Sequence, residues 1–371
     1  MSTQLELDTG ATTTLLVPEG TVTRDALPNL ADYDLIVGNL SGGKDSWLMQ
    51  SLLMNAAREA GVEDRVWTFH ATLGPMEWPG VTYEGQYYPS VSELAAQQSL
   101  ASGVPAERHI EATKMTLGDN PQPYDLLTYI AAYGRFPRLG TRFCTKGFKE
   151  QVEEAAFTPV INDLKVSLGL ASKPTAIKLT RPVRRLKSLG LRSDESRDRA
   201  KRPAYQNPMV NGVRHLDEWC PAKDWKTHEV WEHHETTGFP WHWTYDSHPG
   251  AKDRRGTSRC SCSECVLASR RDNLLGAARR PRLAQLIAHV ETVRGDTFRP
   301  DISMHQLIAL SRKPGAPDPG VVITDETPEF EAMERSVMDA LSLPPRKEPD
   351  LAARHRTVLP LLTTDSCNGC A

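Results

Sequence analysis

The chain predicts an α/β fold, a parallel sheet flanked by helices, and three observations carry that prediction. The apolar run Asp34-Leu-Ile-Val-Gly-Asn-Leu40 passes directly through Ser41-Gly-Gly-Lys-Asp-Ser46 into an amphipathic stretch opening at Trp47. Strand-type and helix-type patterns then alternate, with Val66-Trp-Thr-Phe-His-Ala71 as a second strand, a helix near 90–103 and a short strand at 108–112. No run approaches the roughly 18 apolar residues of a membrane span. The 371 residues, 39% of them hydrophobic, suffice for one large or two modest domains with a buried core.

Taken in order, residues 1–30 are rich in threonine and turn formers and read as a flexible N-terminal arm. The first strand is expected near 34–40 and the first helix near 45–60, with Leu48, Leu52 and Ala56 on one face. Helices are expected over 124–134 and 145–156, separated by residues 136–144. Residues 181–202 carry nine Arg or Lys against three acids, and read either as a solvated surface loop or as an anion-binding segment for polyphosphate or nucleic acid. Residues 313–321 and 343–350, rich in proline and charge, read as linkers. A formal net charge of −3 gives no global argument for nucleic acid. The N-terminus lacks a basic segment followed by an apolar one, so no signal peptide is expected. Seven cysteines, an odd number clustered late, fit a reducing compartment, and a cytoplasmic protein without membrane attachment is the expectation.

Chemistry concentrates at residues 41–46. Between a strand and a helix, Gly42 and Gly43 let backbone N–H groups approach a phosphate, and the helix N-terminus adds favourable dipole charge. Lys44 supplies a positive charge, and Ser41 and Ser46 supply hydroxyls. The order differs from the Walker pattern, because Asp45 follows the lysine, and a carboxylate beside a phosphate cradle makes sense when Mg²⁺ bridges the two.

Ser41-Gly-Gly-Lys-Asp-Ser46 resembles the PP-loop of the N-type ATP pyrophosphatases, the superfamily that includes phosphoadenosine phosphosulfate (PAPS) reductases. Gly190-Leu-Arg-Ser-Asp-Glu-Ser-Arg-Asp-Arg199 resembles that family's Gly-hydrophobic-Arg-x-x-Glu-Ser-x-x-Arg motif, with Gly190, Arg192, Glu195, Ser196 and Arg199 matching. Arg192 and Arg199 suit anionic oxygens, and Glu195 could hold one of them in place. Asp217-Glu-Trp-Cys-Pro-Ala-Lys-Asp-Trp225, followed by Glu229-Val-Trp231 and Tyr245, resembles a further family stretch. There Thr227 is expected to cap a helix, and Trp225, Trp231 and Cys220 are expected to be core residues.

Cys260-Ser-Cys262-Ser-Glu-Cys265 packs three thiols into six residues, and Cys144 sits in Arg142-Phe-Cys-Thr145. Such spacing suits a tetrahedral metal or an iron–sulfur cluster. Cys262 and Cys265 resemble the Cys-x-x-Cys pair of the family's iron–sulfur members, and Cys144 its upstream cysteine. A [4Fe–4S] cluster is the first expectation and Zn²⁺ the alternative, with Cys260 either the fourth ligand or a bystander. Cys367-Asn-Gly-Cys370 near the C-terminus reads as a redox or sulfur-relay pair, as metal capture, or as adventitious thiols.

The resemblance spans roughly residues 34–270 and implies an adenine-nucleotide α-hydrolase-like, Rossmann-like fold. Its implied division is an arm over 1–30, a nucleotide-binding PAPS reductase-like domain over 31–275, and a helical extension over 276–371 bearing the cysteine tail. The intact loop implies an enzyme that binds ATP and Mg²⁺, cleaves the α–β bond and adenylylates a substrate for sulfur transfer. Lys44, Asp45, Arg192 and Arg199 would act at the reacting phosphate, while Ser41, Gly42, Gly43, Ser46, Glu195 and Ser196 would complete the nucleotide site. Alternatives are a PAPS or adenylyl sulfate reductase releasing sulfite, and an inert nucleotide- or nucleic-acid-binding module. Implied partners are the nucleotide, a nucleic-acid substrate, and a sulfur-donor or reductant protein.

Overall fold

Leu35-Ile-Val-Gly-Asn39 alternates its side chains between two apolar layers, which makes it the central strand of a sheet covered on both faces. A computed structural model describes residues 28–116, 119–212, 214–260 and 262–347. In chain order its elements are β1 (Leu35–Asn39), α1 (Lys44–Glu59), β2 (Val66–Ala71), the hairpin β3 (Val81–Tyr83) and β4 (Gln86–Tyr88), α2 (Val91–Ala101) and β5 (His109–Ala112). Then come α3 (Leu126–Tyr133), α4 (Phe143–Thr145), a π turn (Lys146–Glu150), α5 (Gln151–Ala156), α6 (Thr158–Ser167), β6 (Val183–Leu189), α7 (Arg197–Lys201), β7 (Tyr205–Val210) and β8 (Arg214–Trp219). The described chain finishes with α8 (Thr227–Thr237), α9 (Arg270–Arg279), α10 (Pro281–Arg294), α11 (Met304–Ser311) and α12 (Pro328–Leu341). Of the flexible arm expected over 1–30, residues 1–27 lie outside the described residues, as does the Cys367/Cys370 tail, whereas Leu30 is not part of a loose arm but is buried in the core beneath α1.

The main sheet runs β5-β2-β1-β6-β8-β7, parallel except for β7, which pairs antiparallel with β8. Leu35 and Val37 pack with Phe69, Ile110, Val152 and Phe157 beneath α5 and α6. Ile36 faces Met49, Leu53, Ala57 and Ala95 beneath α1 and α2. From β1 the chain moves outward through β2 to β5, then returns to β6 on the opposite side. Strand order therefore reverses between β1 and β6, and the crevice at their carboxyl ends is where open α/β sheets bind ligands. Among the described residues no helix is long and apolar enough to cross a membrane.

A separate core joins α3 to α9–α12, with Leu127, Ile130, Leu283, Ile287, Met304, Phe330 and Val337 at its centre. The 275/276 division falls inside α9, and this core takes residues from both sides of it.

Two expectations are corrected here. Residues 313–321 are not a linker: Arg279 Nε donates to Pro319 O (2.8 Å), Val321 packs beside Trp243, and just beyond, Ile323 N donates to Arg279 O (2.7 Å). The first half of 181–202 is not a solvated loop, because residues 183–189 form β6 in the middle of the sheet. Arg185 and Lys187 are buried there, at 4% and 7% exposure, because Glu153 of α5 neutralises both. Glu153 Oε2 lies 2.5 Å from Lys187 Nζ and also accepts from Asn39 Nδ2 (3.1 Å). A buried carboxylate on a neighbouring helix has no signature in the strand's own sequence.

Candidate active site at the sheet switch point

The loop 41–46 leaves β1 at this crevice. Gly42 has φ +63°, and a Cβ there would run into the carbonyl oxygen of Val91 at the start of α2. Gly43 caps α1 with extended backbone and no side-chain acceptor. The N–H groups of Gly42, Gly43, Asp45 and Ser46 have no protein acceptor among the described residues. Four buried or half-buried amides pointing nowhere else form an anion cradle.

The cradle is braced from several sides. Ser46 Oγ donates to Gly43 O (2.8 Å) and Gln98 Oε1 (2.9 Å), and Gln98 Nε2 donates to Gly43 O (3.1 Å). Ser46 is thus spent on shaping the loop. Lys44 N donates to the Tyr245 hydroxyl (3.2 Å). Lys44 Nζ contacts Asp45 Oδ2 (3.0 Å) and Ser258 O (3.4 Å), and lies 5.2 Å and 5.7 Å from the ring centres of Tyr245 and Trp231. The His234 ring sits between the carbonyls of Phe239 (3.0 Å) and Lys44 (3.1 Å), fastening α8 to the loop. Trp47 completes that contact by stacking on Phe239 with ring centres 4.1 Å apart.

From the other side of the switch point, Gly190 follows β6 and packs so tightly that a Cβ would come within 2.8 Å of Asp45 O. Arg192, 2% exposed, crosses the crevice: Nε donates to Asp45 Oδ1 (2.6 Å), and Nη1 to Asp194 Oδ1 (2.5 Å), Trp225 O (3.2 Å) and Thr227 Oγ1 (3.3 Å). Its Nη2 has no protein partner among the described residues. Burial pushes the Asp45 pKa up, but Lys44 and Arg192 outweigh that and hold it below the ordinary carboxylate value. Asp45 is therefore an ionised carboxylate shared by two cations.

Glu195 accepts from Arg192 N (2.9 Å) and pairs with Arg199, the bracing role expected of it. Arg199 is held by Glu195, and Ser196 Oγ caps α7 by accepting from Arg199 N (3.2 Å). Thr227 is not the cap of α8 but its first residue, and Asp194 Oδ2 accepts from its N–H (2.9 Å). Trp225 and Cys220 are buried as expected. Trp231, expected in the core, is half-buried over Lys44. Gln98 and His234 gave no sequence signal, since each acts on the loop from a remote helix.

Cys144, Cys262 and Cys265 lie within electrostatic reach of one another. All three face Lys149, where burial pushes the ammonium pKa down, but the field of Cys262, Glu77, Cys144 and Cys265 outweighs it and leaves it raised. Cys260, packed with Trp78, Trp243 and Tyr245, also lies within electrostatic reach of Lys149 and Glu77. Three thiols beside a cation match the donor chemistry of an iron–sulfur centre or zinc. They are not drawn together as a ligand set: among the described residues no three His, Cys, Asp or Glu side chains are arranged to hold a metal ion.

A buried pair links the two places. His70 contacts Leu40 O through Nδ1 (3.0 Å) and Glu77 Oε2 through Nε2 (3.3 Å), and Glu77 bridges to Cys262 along the backbone.

The fold and site together define an α/β protein with an anion cradle built at its topological switch point. No family model matches the chain, and no curated protein matches it significantly.

The cradle's geometry yields a paired prediction. Gly42→Ala is expected to weaken binding of a non-hydrolysable ATP analogue at least tenfold, because strain and the Val91 carbonyl both displace the loop. Gly61 has φ +65° but nothing within 4 Å of a Cβ, so Gly61→Ala should cost about 1 kcal/mol of stability and leave affinity unchanged. Calorimetric titration of both variants checks this.

Proposed function

We propose that the protein is a PP-loop enzyme of the PAPS reductase family, with an adenine-nucleotide α-hydrolase-like fold, that binds ATP with Mg²⁺ and adenylylates a substrate for sulfur transfer. The observation that carries the reading is the set of four unpartnered backbone N–H groups at residues 42–46, flanked by Lys44 and by an ionised Asp45. A substrate oxygen attacks the α-phosphorus, the bond from Pα to the bridging oxygen breaks, and pyrophosphate departs with the electron pair. The cradle amides and Lys44 stabilise the charge gathering on the leaving pyrophosphate, and fixed donors of this kind lower the barrier without reorganising. Asp45 would hold the Mg²⁺, which supplies further charge neutralisation when bound. Arg192 fixes the Asp45 carboxylate, and its Nη2 is available to a phosphate oxygen. The terminal sulfur of a donor persulfide then attacks the activated carbon, AMP leaves with the carbon–oxygen electron pair, and a second thiol cleaves the resulting disulfide to free the thiolated product and leave the donor as a disulfide.

Incubation with ATP, Mg²⁺ and candidate acceptors should release pyrophosphate and AMP. Sulfite release from PAPS with a thiol reductant, and no pyrophosphate from ATP, would establish the reductase alternative instead. Cys144, Cys262 and Cys265 would hold an iron–sulfur cluster, whose bound form can relay sulfur or electrons. Serine at any of the three is expected to remove most iron and visible absorption from anaerobically purified protein, whereas Cys260→Ser should retain both. Zinc at one equivalent with no iron would establish the zinc alternative.

A further inference from the structure

Backbone conformation does not explain the glycine at position 43. Its φ of −87° and ψ of 167° are extended values open to any residue, so no left-handed turn requires glycine there. What a side chain would meet is polar. A Cβ on Gly43 would stand 3.1 Å from the Tyr245 hydroxyl, 3.3 Å from Ser41 Oγ and 3.7 Å from Cys260 O. The glycine therefore leaves a recess at the edge of the cradle, walled by two hydroxyls and, further off, one carbonyl.

One of those hydroxyls has a proton to give. Tyr245 Oη accepts from Lys44 N (3.2 Å), while its own O–H has no acceptor among the described residues, the Cys260 carbonyl included. The residue is only 2% exposed, so bulk water is kept from it. A buried donor without a partner is costly, and the cost is removed when a ligand accepts from it. Burial pushes the phenol well above its ordinary pKa, and the charges of Cys260, Asp45 and Glu195 add to that against the opposing N–H of Lys44. The hydroxyl thus stays un-ionised at neutral pH and remains a donor.

The ring is fixed before any ligand arrives. Tyr245 N donates to His242 O (3.2 Å), and Gly256 N donates to Tyr245 O (2.7 Å). The buried Arg279 holds the preceding carbonyl, Thr244 O, at 3.0 Å. Trp231 meets the ring edge-on with centres 5.3 Å apart, and Lys44 Nζ lies 5.2 Å from its centre. The hydroxyl is therefore a relay at the N-terminus of α1: it takes the Lys44 N–H and passes a proton of its own onward, and each bond polarises the other.

We propose that Tyr245 is a further anion-binding residue of the cradle, its hydroxyl donating to a phosphoryl oxygen seated in the recess at Gly43. A tetrahedral phosphoryl group has a third oxygen for this donor when two lie on the backbone amides. A planar carboxylate has none. The inference rests on the anion-cradle part of the proposed function and not on the adenylylation.

Calorimetry on the full chain, with inorganic pyrophosphate and Mg²⁺ as the probe, tests it. Wild type should bind the probe. Tyr245→Phe keeps the ring against Trp231 and Lys44, and should bind about tenfold more weakly, the scale of one hydrogen bond to a charged group. Gly43→Ala fills the recess at a backbone position that alanine adopts freely, and should weaken binding by a similar factor. Tyr88→Phe removes a hydroxyl from the same aromatic cluster that lies against Gly250, away from the recess, and should bind as wild type does. A hydroxyl that merely accepts from Lys44 N is separated by Tyr245→3-fluorotyrosine, because fluorine makes the phenol a stronger donor and a weaker acceptor. Donation to the probe predicts tighter binding than wild type, and an acceptor-only role predicts equal or weaker binding. Should Tyr245→Phe fail to fold, the fluorinated chain still decides. Tyr245→Phe within twofold of wild type, or no gain on fluorination, would overturn the proposal while the cradle stands. Wild type that does not bind the probe would overturn the cradle reading itself. Probe binding without pyrophosphate release from ATP would overturn only the adenylylation.

Discussion

Lys44→Ala is expected to lower kcat/KM for pyrophosphate release from ATP by about 10² to 10³, the usual effect of removing one preorganised donor from a developing negative charge. The size of the effect follows from how completely the ammonium is positioned before any nucleotide arrives. Asp45, the Ser258 carbonyl, and the faces of Tyr245 and Trp231 surround it, and it is only 6% exposed. A cation held in a site of low polarity acts far more strongly on a phosphate than one in water. The loss should appear chiefly in kcat if Lys44 meets the leaving pyrophosphate, and chiefly in KM if it merely anchors the ground state. A variant within threefold of wild type in both would exclude Lys44 from the reaction. Lys44→Ala should also leave the protein folded, because Asp45 keeps Arg192 as its partner.

Glu153→Gln is expected to cost about 3–5 kcal/mol of folding stability at pH 7, since it strands two buried cations in the centre of the sheet. Glu154 still reaches Arg185 Nη1 (2.9 Å), but Lys187 would keep no carboxylate. The pH dependence follows from the direction of the Glu153 shift. Burial pushes its pKa up, while Lys187 and Arg185 outweigh burial and leave it below the ordinary value of 4.5. A depressed carboxylate contributes stability that is fully present above the unfolded value and is lost as pH falls through the folded value. The gap between wild type and Glu153→Gln in urea unfolding should therefore be widest near neutrality and close below about pH 4.5. Parallel curves down to strongly acid pH would mean that Glu153 does not carry this charge balance.

The same residue shows why the β6 segment was misread from its composition. Arg184, Arg185 and Lys187 look like a solvated basic run, because burial of two cations depends on an acid some thirty residues earlier in the chain. The loop at 41–46 was legible for the opposite reason. Its glycines, lysine and following helix are contiguous, so the strand, turn and helix N-terminus that make a cradle are all encoded within a dozen residues. The strands at 35–39 and 66–71 were legible as short, largely apolar runs with local punctuation, and that at 109–112 as a polar–apolar alternation. The motif at 190–199 recorded spacing and not partners: Arg199 pairs with Glu195, and Ser196 caps its own helix.

Local sequence determined the strand and helix pattern of the α/β architecture, the glycine-rich turn between β1 and α1, and the closeness of Cys262 to Cys265, since each depends on residues within one turn or strand of one another. Tertiary structure alone decided that Gly190 and Arg192 close against Asp45, that Gln98 and His234 brace the loop, and that Cys144 comes within electrostatic reach of Cys262 and Cys265. It also decided that the Tyr245 hydroxyl stands beside Gly43. The physical reason is that these contacts are made across the reversal in strand order, where segments far apart in the chain are packed together by burial of their apolar faces, and the pairing of their polar groups follows from that packing.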